Sequence, residues 1–154
     1  MKRKILKDII IFTVGFCLYM TIECCLQGYS YPFMGCCCGL AMIVLDKIND
    51  KISWNVDLLI QAVYGANLIT LLEFVIGFTA KYTDILPIMW DCSNMPNFMG
   101  IIRIPFYFAW MALSILAIFV SDAINYYIFS DTICPYYLLL GGQIRLKFIP
   151  KETG

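Results

Sequence analysis

Two glutamates stand inside long apolar segments, an unusual place for a carboxylate. Glu23 lies in the run IIIFTVGFCLYMTIECCL and Glu73 in the run LLIQAVYGANLITLLEFVIG. A charged side chain at the bilayer centre costs at least about 2.5 kcal/mol, so such acids usually face a protein interior or a watered cavity, where they act on ions, protons or solutes. Asn67, Thr70 and Glu73 are three residues apart in turn, which places them on one side of a helix. We therefore treat Glu23, Asn67, Thr70 and Glu73 as a candidate ligand-binding or structural polar cluster.

Arg103 is the obvious partner for these acids. It lies near the start of the fourth apolar segment of the chain, about residues 100–120, at the end that is predicted to be on the outer side of the membrane. We expect it to neutralise Glu73, Glu23 or Asp91. Two alternatives stay open. The glutamates could be wetted at the outer headgroups, since the cost of burying a charge in lipid falls with distance from the bilayer centre. Arg103 could instead extend to a lipid phosphate.

The composition is that of a membrane protein. Of 154 residues, 61% are hydrophobic and 14% are charged, and the mean hydropathy is +0.78; soluble domains carry about 25% charged residues. The net charge of 0 argues against a nucleic-acid partner. Histidine, the commonest general base and metal ligand, does not occur. Since no nucleophile has a visible base within a motif, we expect no enzyme, no metal site and no cofactor.

Eight cysteines occur, and we expect most of them to act as small apolar packing residues. Two, Cys92 and Cys134, fall in predicted loops. The other six lie in or beside apolar runs: Cys17, Cys24, Cys25, Cys36, Cys37 and Cys38.

Four segments have the length and apolar character of membrane-spanning helices. The sequence predicts an all-α membrane protein, a single transmembrane domain over 1–154 with a cytoplasmic or interfacial tail from about 126. Lysine and arginine cluster before the first span, between the second and third, and after the fourth, which predicts that both termini are cytoplasmic. The predicted spans are about 9–26, 31–45, 58–82 and 100–120.

The two halves of the chain resemble each other. Gly15 precedes Glu23 by eight residues, and Gly65 precedes Glu73 by eight. The string FMG occurs twice, at the openings of the second and the fourth predicted spans. These matches predict two parallel helical hairpins, about 9–48 and 58–125, related by an axis along the membrane normal. Chance matching within an apolar alphabet is the alternative.

The outer loop between the third and fourth spans carries the most specific string, WDCSNMPNFMG. Its motif residues are Trp90, Asp91, Ser93, Pro96, Asn97 and Gly100. An interfacial turn, with Asn97 or Ser93 capping the fourth helix, would account for them without any function.

This loop resembles that of the bacterial ABC-transporter type IV family, whose W-D-Y-S, proline, asparagine and glycine precede a span with tryptophan. The residues of this sequence that match the pattern are Trp90, Asp91, Ser93, Pro96, Asn97, Gly100 and Trp110. Further matches lie in the earlier spans: Ile22, Glu23, Gly28, Met34, Gly39, Gln61, Thr70, Glu73 and Gly77. The likeness covers about 10–125. Departures are Gln27, Cys92, Ile101 and Arg103, which replace arginine, tyrosine, glutamine and a small or apolar residue.

The resemblance implies a small multi-pass, permease-like protein of the bacterial cytoplasmic membrane. We expect a subunit that binds or passes a small solute, with the two glutamates lining the route. Its partners would be the lipid bilayer, a second copy or other membrane subunits. The sequence has no G-x-x-x-x-G-K-[ST], so ATP hydrolysis by that route would need a separate ATPase subunit. The alternative is a non-transporting membrane partner, an assembly factor or a lysis protein of phage type.

Overall fold

The structure is a computed structural model that describes residues 2–83, 96–129 and 133–150. Within these ranges the chain is mostly helical, and its few strands are short. Three residues of the outer-loop motif, Trp90, Asp91 and Ser93, lie outside the described residues, as does Cys92.

Four helices dominate the described chain: α1 (Lys2–Gln27), α2 (Pro32–Asn49), α3 (Leu58–Tyr82) and α4 (Phe106–Ala123). A π-helical turn, Ile124–Ile128, extends α4. All four are long and apolar enough to cross a membrane. The shortest span, α2, has 18 residues and would be about 27 Å long at ~1.5 Å per residue. The expected helical membrane architecture is thereby confirmed, whereas the repeat and the orientation of the termini stay predictions.

The fourth helix begins later than predicted. It starts at Phe106 rather than near residue 100, because the chain first forms a short antiparallel pair, β1 (Asn97–Phe98) with β2 (Ile102–Arg103). Gly100 turns this ribbon with φ +68°, a conformation that favours glycine. The two FMG strings therefore differ in structure: the first lies in the opening turn of α2, and the second lies in β1 and its turn.

The chain divides into two compact units. The first unit comprises Met1–Leu58 and Leu116–Gly154; the second unit comprises Leu59–Ile115.

In the first unit, α1 and α2 form an antiparallel hairpin held close by glycine. A methyl group on Gly39 would lie 2.9 Å from the carbonyl oxygen of Phe12, and one on Gly15 would lie 2.9 Å from Cβ of Met42. The absence of side chains at these positions lets the helices approach each other. Four cysteines predicted to pack between helices are instead exposed: Cys17, Cys24, Cys25 and Cys36. Glycine, not cysteine, provides the close approach.

A β-hairpin completes the first unit, where the sequence suggested an interfacial segment or tail. Strands β3 (Tyr136–Leu139) and β4 (Ile144–Lys147) pair antiparallel. Tyr137 is 1% exposed, and its ring centroid lies 4.6 Å from that of Phe119 on α4. The hairpin is thus anchored by an aromatic core.

The second unit contains most of α3 and the first part of α4. Within the second unit, the buried positions of α3 are mostly small and form two groups in which neighbours are one to three residues apart: Gln61, Ala62, Gly65 and Ala66, then Gly77 and Ala80. That spacing defines one buried face of the helix.

Candidate functional site

The predicted polar residues of α3 face the start of α4 within the second unit. Trp110 Nε1 donates a hydrogen bond of 3.0 Å to Oε2 of Glu73. The Tyr107 hydroxyl donates one of 2.8 Å to Oδ1 of Asn67. Thr70, between them on α3, has a buried hydroxyl with no hydrogen-bond partner among the described residues. The α3–α4 polar face is therefore Asn67, Thr70, Glu73, Tyr107 and Trp110.

Arg103 is not part of the fourth helix, contrary to its predicted place inside the span. It lies in β2, and its guanidinium carbon is 5.3 Å from the centroid of the Phe106 ring, a cation–π geometry. The described hydrogen bond to the Glu73 carboxylate comes from Trp110. Neutralisation of an acid by Arg103 stays a prediction.

The described part of the outer-loop motif forms the β1–β2 turn. Oδ1 of Asn97 accepts a 2.9 Å hydrogen bond from the backbone N–H of Gly100, and the Pro96 carbonyl accepts one of 3.0 Å from the N–H of Ile104. Lys81 at the end of α3 donates to the Met99 carbonyl at 2.7 Å. Asn97 therefore caps this turn and not α4, so the predicted helix cap is wrong for Asn97.

Glu23 lies in the first unit and is bound locally. The hydroxyls of Tyr19 and Ser30 each donate a 2.6 Å hydrogen bond to its carboxylate. Both donors belong to the α1–α2 hairpin or its turn, and both are neutral. These two bonds offset part of the cost of placing a carboxylate near the C-terminal end of an apolar span. A pocket shared by Glu23 and Glu73 stays a prediction.

A second polar cluster, which the sequence did not predict, lies where α1 begins and α2 and α4 end. Asp46 is its centre, with 2% of its surface exposed. Lys7 Nζ lies 2.9 Å from Oδ2 of Asp46. Oδ1 accepts hydrogen bonds from the Ser121 hydroxyl and, at 3.0 Å, from Nδ2 of Asn125. This carboxylate is both paired and fully bonded, as a buried charge requires.

Asp122 is the second buried acid of this cluster, 4% exposed. Nδ2 of Asn49 donates to its Oδ1 at 2.8 Å, and the Tyr137 hydroxyl donates to its Oδ2 at 2.6 Å. Burial, together with the neighbouring Asp122 carboxylate, raises the pKa of Tyr137 above its usual range. Tyr137 is therefore a stable proton donor to Asp122 at neutral pH.

Charge is unevenly balanced in this cluster. Lys7 also contacts Oδ2 of Asp50 at 3.3 Å, so two carboxyl groups share one ammonium. Asp122 receives only neutral donors among the described residues. The cluster carries an excess of negative charge when its acids are ionised.

A cavity of about 260 Å³ adjoins Asp122 in the first unit. Asn125, which lines the cavity, is 4% exposed, and its amide oxygen has no hydrogen-bond partner in the described structure. Two other residues that line the cavity, Asp50 and Ile133, are exposed. Its described lining residues are Asn49, Asp50, Ile52, Trp54, Asp122, Asn125, Tyr126, Ile133 and Pro135.

The sequence held one signal for this cluster. The string D-x-I-N occurs at the end of both α2 and α4, as DKIN at 46–49 and DAIN at 122–125. Acids at helix ends usually meet water, so the pattern alone does not show that both are buried. Their burial depends on three helix ends and a hairpin meeting in space.

No protein-family model, curated protein or solved structure matches the chain. The fold itself defines the class: a multi-pass membrane protein with four candidate spans. The resemblance to the ABC-transporter type IV family stays a prediction from its motif residues.

Proposed function

We propose that this chain is a transporter-like membrane subunit that binds a small polar or cationic solute at the α3–α4 polar face. The observation that supports it most is the Glu73 carboxylate inside a span, bonded to Trp110 at 3.0 Å and one helical turn from the unbonded hydroxyl of Thr70. Carboxylate, amide and hydroxyl oxygens together suit a solute that donates hydrogen bonds.

The buried hydroxyl of Thr70, which has no hydrogen-bond partner in the described structure, favours the binding of a ligand. A buried polar group without a partner costs about 1–3 kcal/mol. A solute donating to Thr70 and Glu73 would remove that cost. The same chemistry explains why α4 contributes Tyr107 and Trp110, which have an apolar body and one polar atom each.

We place the protein in a bacterial cytoplasmic membrane with both termini inside, in two repeated hairpins, acting with a second copy, other membrane subunits or a separate ATPase subunit. The reciprocal contacts of the two D-x-I-N strings support the repeat. Energy coupling would come from such a partner.

Liposome reconstitution tests the proposal. Uptake of a panel of amines, amino acids and monovalent cations would be compared for wild type, Glu73→Gln and Glu23→Gln. Asp8→Asn is the control, because it also removes one carboxylate from a helix, but that carboxylate belongs to the first unit and its side chain is 37% exposed. We expect Glu73→Gln to reduce uptake of one solute class while Asp8→Asn does not.

A binding measurement covers the case in which transport needs a partner. Trp54→Phe with Trp90→Phe leaves Trp110 as the single tryptophan, adjacent to Glu73. A saturable change of its fluorescence with a solute, lost in Glu73→Gln, supports the proposal. Equal behaviour of every variant in both assays would contradict it and favour the non-transporting membrane partner.

A further inference from the structure

The cavity beside Asp122 has the charge of a cation site. Its described lining includes two carboxyl groups, Asp50 and Asp122, and no basic side chain. Lys7 balances Asp46 and Asp50, whereas the described contacts of Asp122 come from the neutral Asn49 and Tyr137. A buried carboxylate held by neutral donors attracts a cation from outside the chain.

A second observation points to a ligand independently of the acids. Asn125 is 4% exposed, and its Nδ2 is fixed by donating to Asp46 at 3.0 Å. Its Oδ1 is then left as a buried acceptor without a partner in the described structure, and Asn125 is one of the residues that line the cavity. Asn125 lies in the π-helical turn that extends α4, and such turns frequently occur at functional sites. A ligand that reached this oxygen from the cavity would supply the donor that it lacks.

Size and lining favour an organic cation over a metal ion. The cavity, about 260 Å³, has room for several times the ~30 Å³ of one water molecule. Among the described residues no group of three or more His, Cys, Asp or Glu side chains is placed to hold a metal, whereas Ca²⁺ takes six to eight oxygen ligands. Trp54 and Tyr126 line the cavity, and aromatic faces bind organic ammonium groups.

We propose that this cavity binds a small organic ammonium ion, with Asp122 as its counter-charge, Asn125 Oδ1 as acceptor and Trp54 and Tyr126 as aromatic walls. The site goes beyond the proposed solute site on α3 and α4: it lies in the first unit and uses none of the same residues. A protein in which Glu73 is inert can still bind a cation here.

Equilibrium binding to the purified full chain in detergent tests the inference. The probes are ethylammonium and tetramethylammonium chloride, titrated against NaCl and CaCl₂ at equal ionic strength and followed by calorimetry and by tryptophan fluorescence. We expect saturable binding of at least one ammonium probe. Asp122→Asn, which keeps the shape of the side chain but removes its charge and replaces one of its two acceptor oxygens with a donor, should weaken it by about tenfold or more. Asp8→Asn should leave it unchanged, and Glu73→Gln is measured beside it to separate binding in this cavity from binding at the α3–α4 polar face.

Several outcomes would overturn the inference. The inference is contradicted if the wild-type protein binds neither ammonium probe. This result does not depend on the variants, so the inference stays testable even if a variant fails to fold. Binding of Na⁺ or Ca²⁺ in preference to both probes would replace the organic cation with a metal ion. Loss of ammonium binding in Glu73→Gln with retention in Asp122→Asn would move the site to α3.

Discussion

Asp46 and Asp122 occupy matching places at the ends of α2 and α4, and each accepts a hydrogen bond from the asparagine three residues after the other. Asn125 donates to Asp46 at 3.0 Å, and Asn49 donates to Asp122 at 2.8 Å. This exchange ties the two D-x-I-N strings together and supports the proposed duplication better than FMG, whose two copies adopt different structures. The two acids differ in their charge balance: Asp46 pairs with the Lys7 ammonium, whereas the described donors to Asp122 are neutral.

Removal of the Lys7 ammonium should destabilise the first unit strongly. Lys7→Met leaves Asp46, 2% exposed, without its positive charge. Breaking one side of a buried pair typically costs about 3–5 kcal/mol. Chemical unfolding in detergent would measure the loss.

Lys47→Met is the matched control for that variant. Its partner Asp8 is 37% exposed at 3.4 Å, and such a pair contributes at most about 1 kcal/mol. Adding Asp46→Asn to Lys7→Met should restore part of the stability. Equal losses for the two lysine variants would contradict the buried role of Asp46.

Tyr137→Phe should reveal the coupling of the β-hairpin to Asp122. The variant removes a donor from a buried carboxylate, which costs about 1–3 kcal/mol near pH 8. Because the pKa of Tyr137 is raised in the folded state, the unfolded tyrosine loses its proton first, above about pH 10. Stability from this group is therefore full below that pH and falls as pH rises, by up to about 1.4 kcal/mol per unit.

Unfolding curves of wild type and Tyr137→Phe at several pH values would test this sign. The stability difference between the two proteins should be largest near pH 8 and shrink above pH 10. Tyr29→Phe, at an exposed tyrosine, is the control and should show no such trend. A difference that stays constant or grows with pH would contradict the assignment.

The sequence predicted the spans well because a run of about 20 apolar residues has few alternatives in a chain of this composition. The third span, expected over 58–82, is α3 at Leu58–Tyr82. The start of α4 was wrong because Gly100 adopts a positive φ and Pro105 immediately precedes the helix. The sequence did not predict the hairpin of 136–147, because its first strand, YYLL, is a continuous apolar run without the alternation that marks a half-buried strand.

Half of the candidate site was predictable and half was not. Spacing placed Asn67, Thr70 and Glu73 on one helix face, and Tyr107 and Trp110 on α4 are also three residues apart. The cluster around Asp46 and Asp122 was missed because its residues come from four separate parts of the chain. Burial of an acid near a helix end is a tertiary property, which local pattern does not encode.

Gly39→Leu should weaken the α1–α2 hairpin. A methyl group there would already lie 2.7 Å from a ring carbon of Phe12, so the helices must move apart. Overpacking of this kind typically costs about 1–3 kcal/mol. Thermal unfolding would measure it, with Cys36→Leu as control, since Cys36 is an exposed residue of the same helix. Equal melting temperatures for the two variants would show that the helices do not meet at Gly39.

Thr70→Val should raise stability and lower solute binding together. The substitution keeps the shape of the side chain and removes a buried hydroxyl that has no partner in the described structure, so we expect a gain of about 1 kcal/mol. Thr79→Val is the control on the same helix: its hydroxyl donates to the Val75 carbonyl at 2.8 Å, so its removal relieves no unmet hydrogen bond. If Thr70 contacts the solute, the stabilised variant should bind it more weakly in the Trp110 fluorescence assay. A Thr70→Val protein that is less stable than wild type would show that the hydroxyl already has a partner. The α3–α4 polar face would then have no unpaired hydroxyl to which a solute could donate.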